Sequence, residues 1–135
     1  MRGREQGSFM ATILVIDDEA AHRRVVLAAL AGQNHVMIEA ADGVEGVDLA
    51  QKHKPDLAIL DILMPKKEGI ETMGDLRRFV PATKIIAISG GGIARSKLPL
   101  NMAKALGADA TLAKPFRPAE LIETVERVLK APAAR

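Results

Sequence analysis

Between residues 12 and 130, short apolar runs alternate with longer stretches in which apolar residues recur at helical spacing. The runs cover residues 13–16, 36–38, 57–60, 84–88 and 110–113, a length that suits strands rather than helices. The stretches between and after them, 19–31, 44–53, 67–79, about 96–106 and 118–130, read as five helices. Residues at the ends agree with these bounds. Asp42 and Gly43 open the second helix, Lys54 and Pro55 close it, and Gly107 follows the fourth. Pro99 is tolerated only in a first turn, so the fourth helix must be short and must begin just before it, after a loose loop at 89–92.

Strand and helix alternate throughout, the rhythm of repeated βαβ units. The first, third and fourth strands are apolar on consecutive residues, as befits the middle of a parallel sheet covered on both faces, whereas the second and fifth are shorter or more mixed. The expected architecture is α/β: a (βα)5 doubly wound parallel sheet of flavodoxin-like type, a three-layer sandwich with right-handed crossovers.

Composition narrows the possibilities. A chain of 135 residues fits one domain, expected over 11–131, with 1–10 as an extension or cloning remnant, Met10 as a second possible start, and 132–135 as a fraying tail. With no cysteine there is neither a disulfide framework nor a thiolate site. No apolar run is long enough to span a bilayer and the first ten residues lack a signal peptide's apolar core, so a cytoplasmic location without membrane contact is expected. The net charge of +2 comes from scattered basic residues, and aromatics make up 2%. Neither favours a nucleic-acid surface or a flavin platform.

The polar residues at the strand ends carry the chemistry. Asp17 and Asp18 end the first strand, Asp61 the third, Ser89 the fourth and Lys114 the fifth. Parallel strands bring these to one carboxyl edge, where open α/β sheets bind ligands. Carboxylates about 4 Å apart there repel by roughly 4 kcal/mol at an effective dielectric of about 20. A raised pKa relieves that, and so does a hard divalent cation; Mg2+, which takes carboxylates together with water and phosphate oxygens, is the better fit. Beside such a cation an aspartate can attack phosphorus, while a lysine and a hydroxyl steady the phosphoryl group.

Val15, Ile16, Asp17, Asp18 and Glu19, then Leu60, Asp61, Met64 and Pro65, then Ser89, then Lys114, Pro115 and Phe116 together resemble the bacterial two-component response-regulator receiver domain, over about residues 11 to 130. The strand order 2-1-3-4-5 belongs to that resemblance and is not read from the residues. It implies that Asp61 is the phosphoacceptor and Asp18 a direct metal ligand. Asp17 would hold Mg2+ through water, and Leu63 would offer its backbone carbonyl. Lys114 would pair with the phosphoryl group, Ser89 would be the switch hydroxyl, and the Lys114–Pro115 peptide would be cis. The implied partners are a histidine kinase or histidine phosphotransfer protein upstream and a protein target on the face of the fourth helix, fifth strand and fifth helix, with a phosphorylation-dependent homodimer as one form of output. The expected role is a stoichiometric switch that assists its own phosphorylation and dephosphorylation, not an enzyme.

Two positions depart from the pattern. Thr111 stands where receivers commonly carry a Tyr or Phe that swings inward, and Gly90, Gly91 and Gly92 follow the switch hydroxyl. Ordering of that loop on phosphorylation is therefore expected in place of a ring movement.

Other readings fit the same residues. Taken singly, Asp17 and Asp18 suit a helix cap, Asp61 a turn, and Lys66 and Lys67 a solvated loop. A magnesium phosphohydrolase similar to haloacid-dehalogenase-type enzymes would need an Asp-x-Asp pattern on the first strand, and a phosphorylation-independent interaction module would have no need of the reactive set. His22, His35 and His53 lack metal-ligand spacing and read as surface or packing residues. Nothing more follows Lys130 than a short tail, so a stand-alone regulator is the first expectation, although a domain cut from a larger regulator reads identically.

Overall fold

The computed structural model describes residues 10–62, 68–90 and 98–132. In chain order the elements are β1 (Thr12–Ile16), α1 (Ala20–Leu30), a 3-10 turn (Ala31–Gln33), β2 (Val36–Ala40), α2 (Gly43–His53), β3 (Leu57–Asp61), α3 (Glu68–Phe79), β4 (Lys84–Ser89), α4 (Leu98–Ala105), β5 (Ala110–Ala113) and α5 (Pro118–Lys130). All strand pairs are parallel and the order is β2-β1-β3-β4-β5. This is the doubly wound (βα)5 sandwich that the alternation of elements predicts.

Side chains alternate across a strand, so each central strand feeds two cores. Leu14, Ile16, Ala58, Leu60, Ile85 and Ala87 pack on one face with Ala50 of α2, Met73 and Leu76 of α3, and Ala103 of α4. On the other face Ile13, Val15, Ile59, Ile86 and Ile88 meet Val26 and Leu30 of α1 and Leu121, Val125 and Val128 of α5. Each fully buried Ile or Leu in these layers contributes on the order of 1.5–3 kcal/mol over an exposed one, which accounts for the consecutive apolar residues of β1, β3 and β4. Edge strand β2 is only partly covered, with Val36 exposed.

Helix ends follow from short-range polar contacts. The Asp42 side chain accepts a hydrogen bond from the Glu45 amide at 2.8 Å, and Glu45 accepts from the Ala41 amide at 2.8 Å, a reciprocal cap for α2. That helix stops at Lys54, whose φ of 49° is left-handed. Helix α4 is short, with Pro99 as its second residue, and Gly107 at φ 101° follows it. Pro118 begins α5, where a missing amide hydrogen bond is harmless.

Candidate functional site

Asp17 directly follows β1, Asp61 ends β3, Ser89 ends β4, and Lys114 directly follows β5. The ladder aligns these ends: Asp61 is opposite Ile88, Ser89 is opposite Ala113, and the Lys114 amide donates to the Ser89 carbonyl at 2.8 Å. The Lys114–Pro115 peptide is cis. Gly90 permits this close approach, because a Cβ there would collide with the Cβ and stem of Lys114.

The side chains meet at the carboxyl edge. Lys114 Nζ lies 3.1 Å from Asp61 Oδ2 and 3.9 Å from Asp17 Oδ2. Asp17, Asp61 and Ser89 are all buried. Asp17 Oδ1 accepts from the Glu19 amide at 3.0 Å, a local turn ahead of α1, while Oδ2 faces the pocket. The simple capping reading therefore explains only one of its two oxygens; the residue that caps α1 is Glu19, without a side-chain hydrogen bond. Burial, with Asp61 close by, pushes the Asp17 carboxyl up from 3.8 to about 6.

Two residues that sequence reasoning left aside complete the site. Arg23 donates from Nη1 to the Asp17 carbonyl at 2.8 Å and from Nε to Glu39 at 2.9 Å, fixing the end of β1 against β2. His22, read from the sequence as a surface or packing residue, instead faces the acids. Its Nδ1 is 3.4 Å from Asp17 Oδ2, 4.0 Å from Asp61 Oδ2 and 3.1 Å from Lys114 Nζ. The usable signal was its place one helical turn after Asp18, in the first turn of a helix that starts at the carboxyl edge.

Ligand-capable atoms of Asp17, His22 and Asp61 all lie within 4.8 Å of one another. Paired carboxylates, one with a raised pKa, form a donor set that a divalent cation fits. Asp18 is exposed and is not part of that group. Leu63, Met64, Pro65, Lys66, Lys67, Gly91 and Gly92 lie outside the described residues. Thr111 is half-buried in β5, opposite Ala87; strand alternation puts it on the face away from Leu112, toward the α2, α3 and α4 layer.

A cleft of about 450 Å³ opens here, lined among others by Asp17, His22, Asp61, Lys114 and Phe116. A larger one, about 530 Å³, lies at the opposite end of the sheet beside Pro55, Phe79 and Lys84, away from this chemistry. Among the described residues no helix is long and apolar enough to cross a membrane.

The response regulator receiver domain family matches residues 13–126, and the chain belongs to it. It is 36% identical over 121 residues to Protein CcdB of Bacillus subtilis, covering 89% of this chain and 98% of that one. To the transcriptional regulatory protein PdtaR of Mycobacterium tuberculosis it is 34% identical over 117 residues, covering 84% of this chain and 54% of the relative. It thus spans nearly all of one relative and about half of the other. Among solved structures, a CheY-like response regulator receiver domain protein from Methanospirillum hungatei superimposes with a TM-score of 0.79 at 27% identity, over 90% of this chain and 94% of that one. The chain is accordingly a receiver domain of two-component response regulators, a family of phosphorylation switches.

Proposed function

We propose that Asp61 accepts a phosphoryl group from a histidine kinase or histidine phosphotransfer protein, and that the resulting charge changes which partner the domain binds. The observation that carries this reading is the buried Asp61 carboxylate held 3.1 Å from Lys114 Nζ at the carboxyl edge of the sheet. An Asp61 oxygen forms the new O–P bond as the P–N bond to the donor imidazole breaks, the electron pair leaving with the ring nitrogen. Lys114 exchanges its pairing with the carboxylate for one with a phosphoryl oxygen, and the Ser89 hydroxyl donates to another. Asp18 and Asp61 would hold Mg2+ directly, with the Leu63 carbonyl as a further ligand and Asp17 acting through water. When bound, that ion neutralises the charge gathered at the phosphoryl group. Attack by water later returns the carboxylate and inorganic phosphate, so the domain turns over only itself and is a switch rather than an enzyme.

Ser89 and Thr111 are the switch positions, and the added charge is read on the face of α4, β5 and α5 by a protein target, which includes a second copy of the chain. The reading places the domain in the cytoplasm, without direct contact to nucleic acid or membrane. Intact-mass measurement after incubation with a small phosphodonor and Mg2+ tests the central step. Wild type gains one phosphoryl group and Asp61→Asn does not; full labelling of the variant would overturn the assignment.

A further inference from the structure

We propose that His22 gives this pocket a second cation-binding mode, a nitrogen and oxygen site for a borderline transition-metal dication such as Zn2+, with His22 Nδ1, Asp17 Oδ2 and Asp61 Oδ2 as ligands. The proposal rests on the reading of the pocket as a cation site and goes beyond it, because the magnesium arrangement above uses oxygen alone.

Three observations converge. The first is the direction of the ring. His22 Nδ1 points into the pocket, 3.1 Å from Lys114 Nζ, and with the ring proton on Nε2 it presents a lone pair there. The second lies behind the ring, where Glu19 Oε1 stands 3.5 Å from Nε2. A carboxylate behind the far nitrogen is the arrangement that fixes the orientation and raises the basicity of a metal-bound imidazole. The third is spacing. Ligands about 2.0–2.1 Å from a tetrahedral Zn2+ are about 3.3 Å apart, against 3.4 Å from His22 Nδ1 to Asp17 Oδ2 and 4.0 Å to Asp61 Oδ2. A small inward shift of Asp61 closes the difference.

The Lys114 ammonium, 3.1, 3.9 and 3.1 Å from Asp61, Asp17 and His22, already occupies the point on which these atoms converge. A dication entering there must displace it and engage the phosphoacceptor oxygen itself. Metal of this class therefore competes with phosphorylation, whereas Mg2+ supports it. Imidazole ligands discriminate between the two: they suit Zn2+, while Mg2+ prefers oxygen and retains water.

Calorimetric titration of the full chain with Zn2+ and separately with Mg2+, in wild type and His22→Leu, tests the assignment. Because His22 is half-exposed, leucine is accommodated without filling the core. Loss of a ligand is expected to weaken Zn2+ binding by about tenfold or more while Mg2+ affinity stays within about twofold. In wild type, the His22 Nδ1 resonance in a 15N-labelled sample should move on addition of Zn2+ and stay in place with Mg2+. Equal Zn2+ affinity in the two proteins, equal losses for both metals, or an unmoved Nδ1 resonance would overturn the proposal. Absence of Mg2+ binding by wild type would instead strike the phosphorylation reading, leaving the Zn2+ result to stand by itself.

Discussion

The two ends of the sheet handle polar groups in opposite ways. At the amino end polar side chains tie distant segments of the chain together. Asp56 accepts from the Thr12 amide at 2.8 Å, His35 Nδ1 from the Ala11 amide at 3.1 Å and Asp109 from the Ile85 amide at 2.8 Å, while the Thr83 hydroxyl donates to the Pro55 carbonyl at 2.7 Å. At the carboxyl end, Asp17 and Asp61 are buried close together, and Lys114 faces both. The amino end is arranged to hold the chain together; the carboxyl end concentrates charge in a state that only a cation or a proton fully relieves. Removal of a polar group should therefore have opposite signs at the two ends.

The largest effect is expected at Asp17. Its carboxyl binds a proton more tightly folded than unfolded, so between about pH 4 and 6 the folded protein carries the extra proton and stability falls as pH rises. The penalty is complete above pH 6 and absent below about pH 4. Asp17→Asn keeps an oxygen for the Glu19 amide, and in metal-free buffer at pH 7.5 it should be more stable than wild type by up to about 3 kcal/mol. Denaturant titrations across pH check this. A gain that persists undiminished at pH 4 would contradict the cause, and added Mg2+ should narrow the gap.

Thr83→Val probes the other end. The hydroxyl is buried, and its loss leaves the Pro55 carbonyl without that donor, which should destabilise by about 1–3 kcal/mol at every pH from 5 to 8. Smaller still is Asp56→Ala, at an exposed contact, expected to lower stability by about 1 kcal/mol or less through the Thr12 amide. Chemical denaturation measures both. If either variant were stabilised as Asp17→Asn is, the contrast between the two ends would fail.

Much of this arrangement is legible in the residues. β3 and β4 announce themselves because both faces are buried, and their polar last residues, Asp61 and Ser89, are where the carboxyl edge had to be. β2 runs two residues beyond its apolar stretch. Glu39 breaks its apolar run, and only the pairing of Glu39 with Val15 and of Ala40 with Ile16 shows the strand continuing. The end of α1 was blurred in the same way by a 3-10 turn at Ala31–Gln33. His22 escaped because its place one helical turn after Asp18 brings it to the carboxyl edge without fixing which way the ring points, and Lys114, which it meets, is 92 residues away. The acids and the lysine could be placed by strand direction alone. A helix side chain needs the helix's rotation about its axis as well, and that is set by how Val26 and Leu30 pack into the sheet.

The tight fit at Gly90 has a further consequence. The lysine stem rests against bare backbone one residue after the Ser89 hydroxyl, and the Lys114 amide is tied to the Ser89 carbonyl. The tip of β4 and the root of the lysine side chain are thus in direct contact, so a shift of one bears on the other. Any side chain added at residue 90 would push the lysine stem aside and move its ammonium within the pocket.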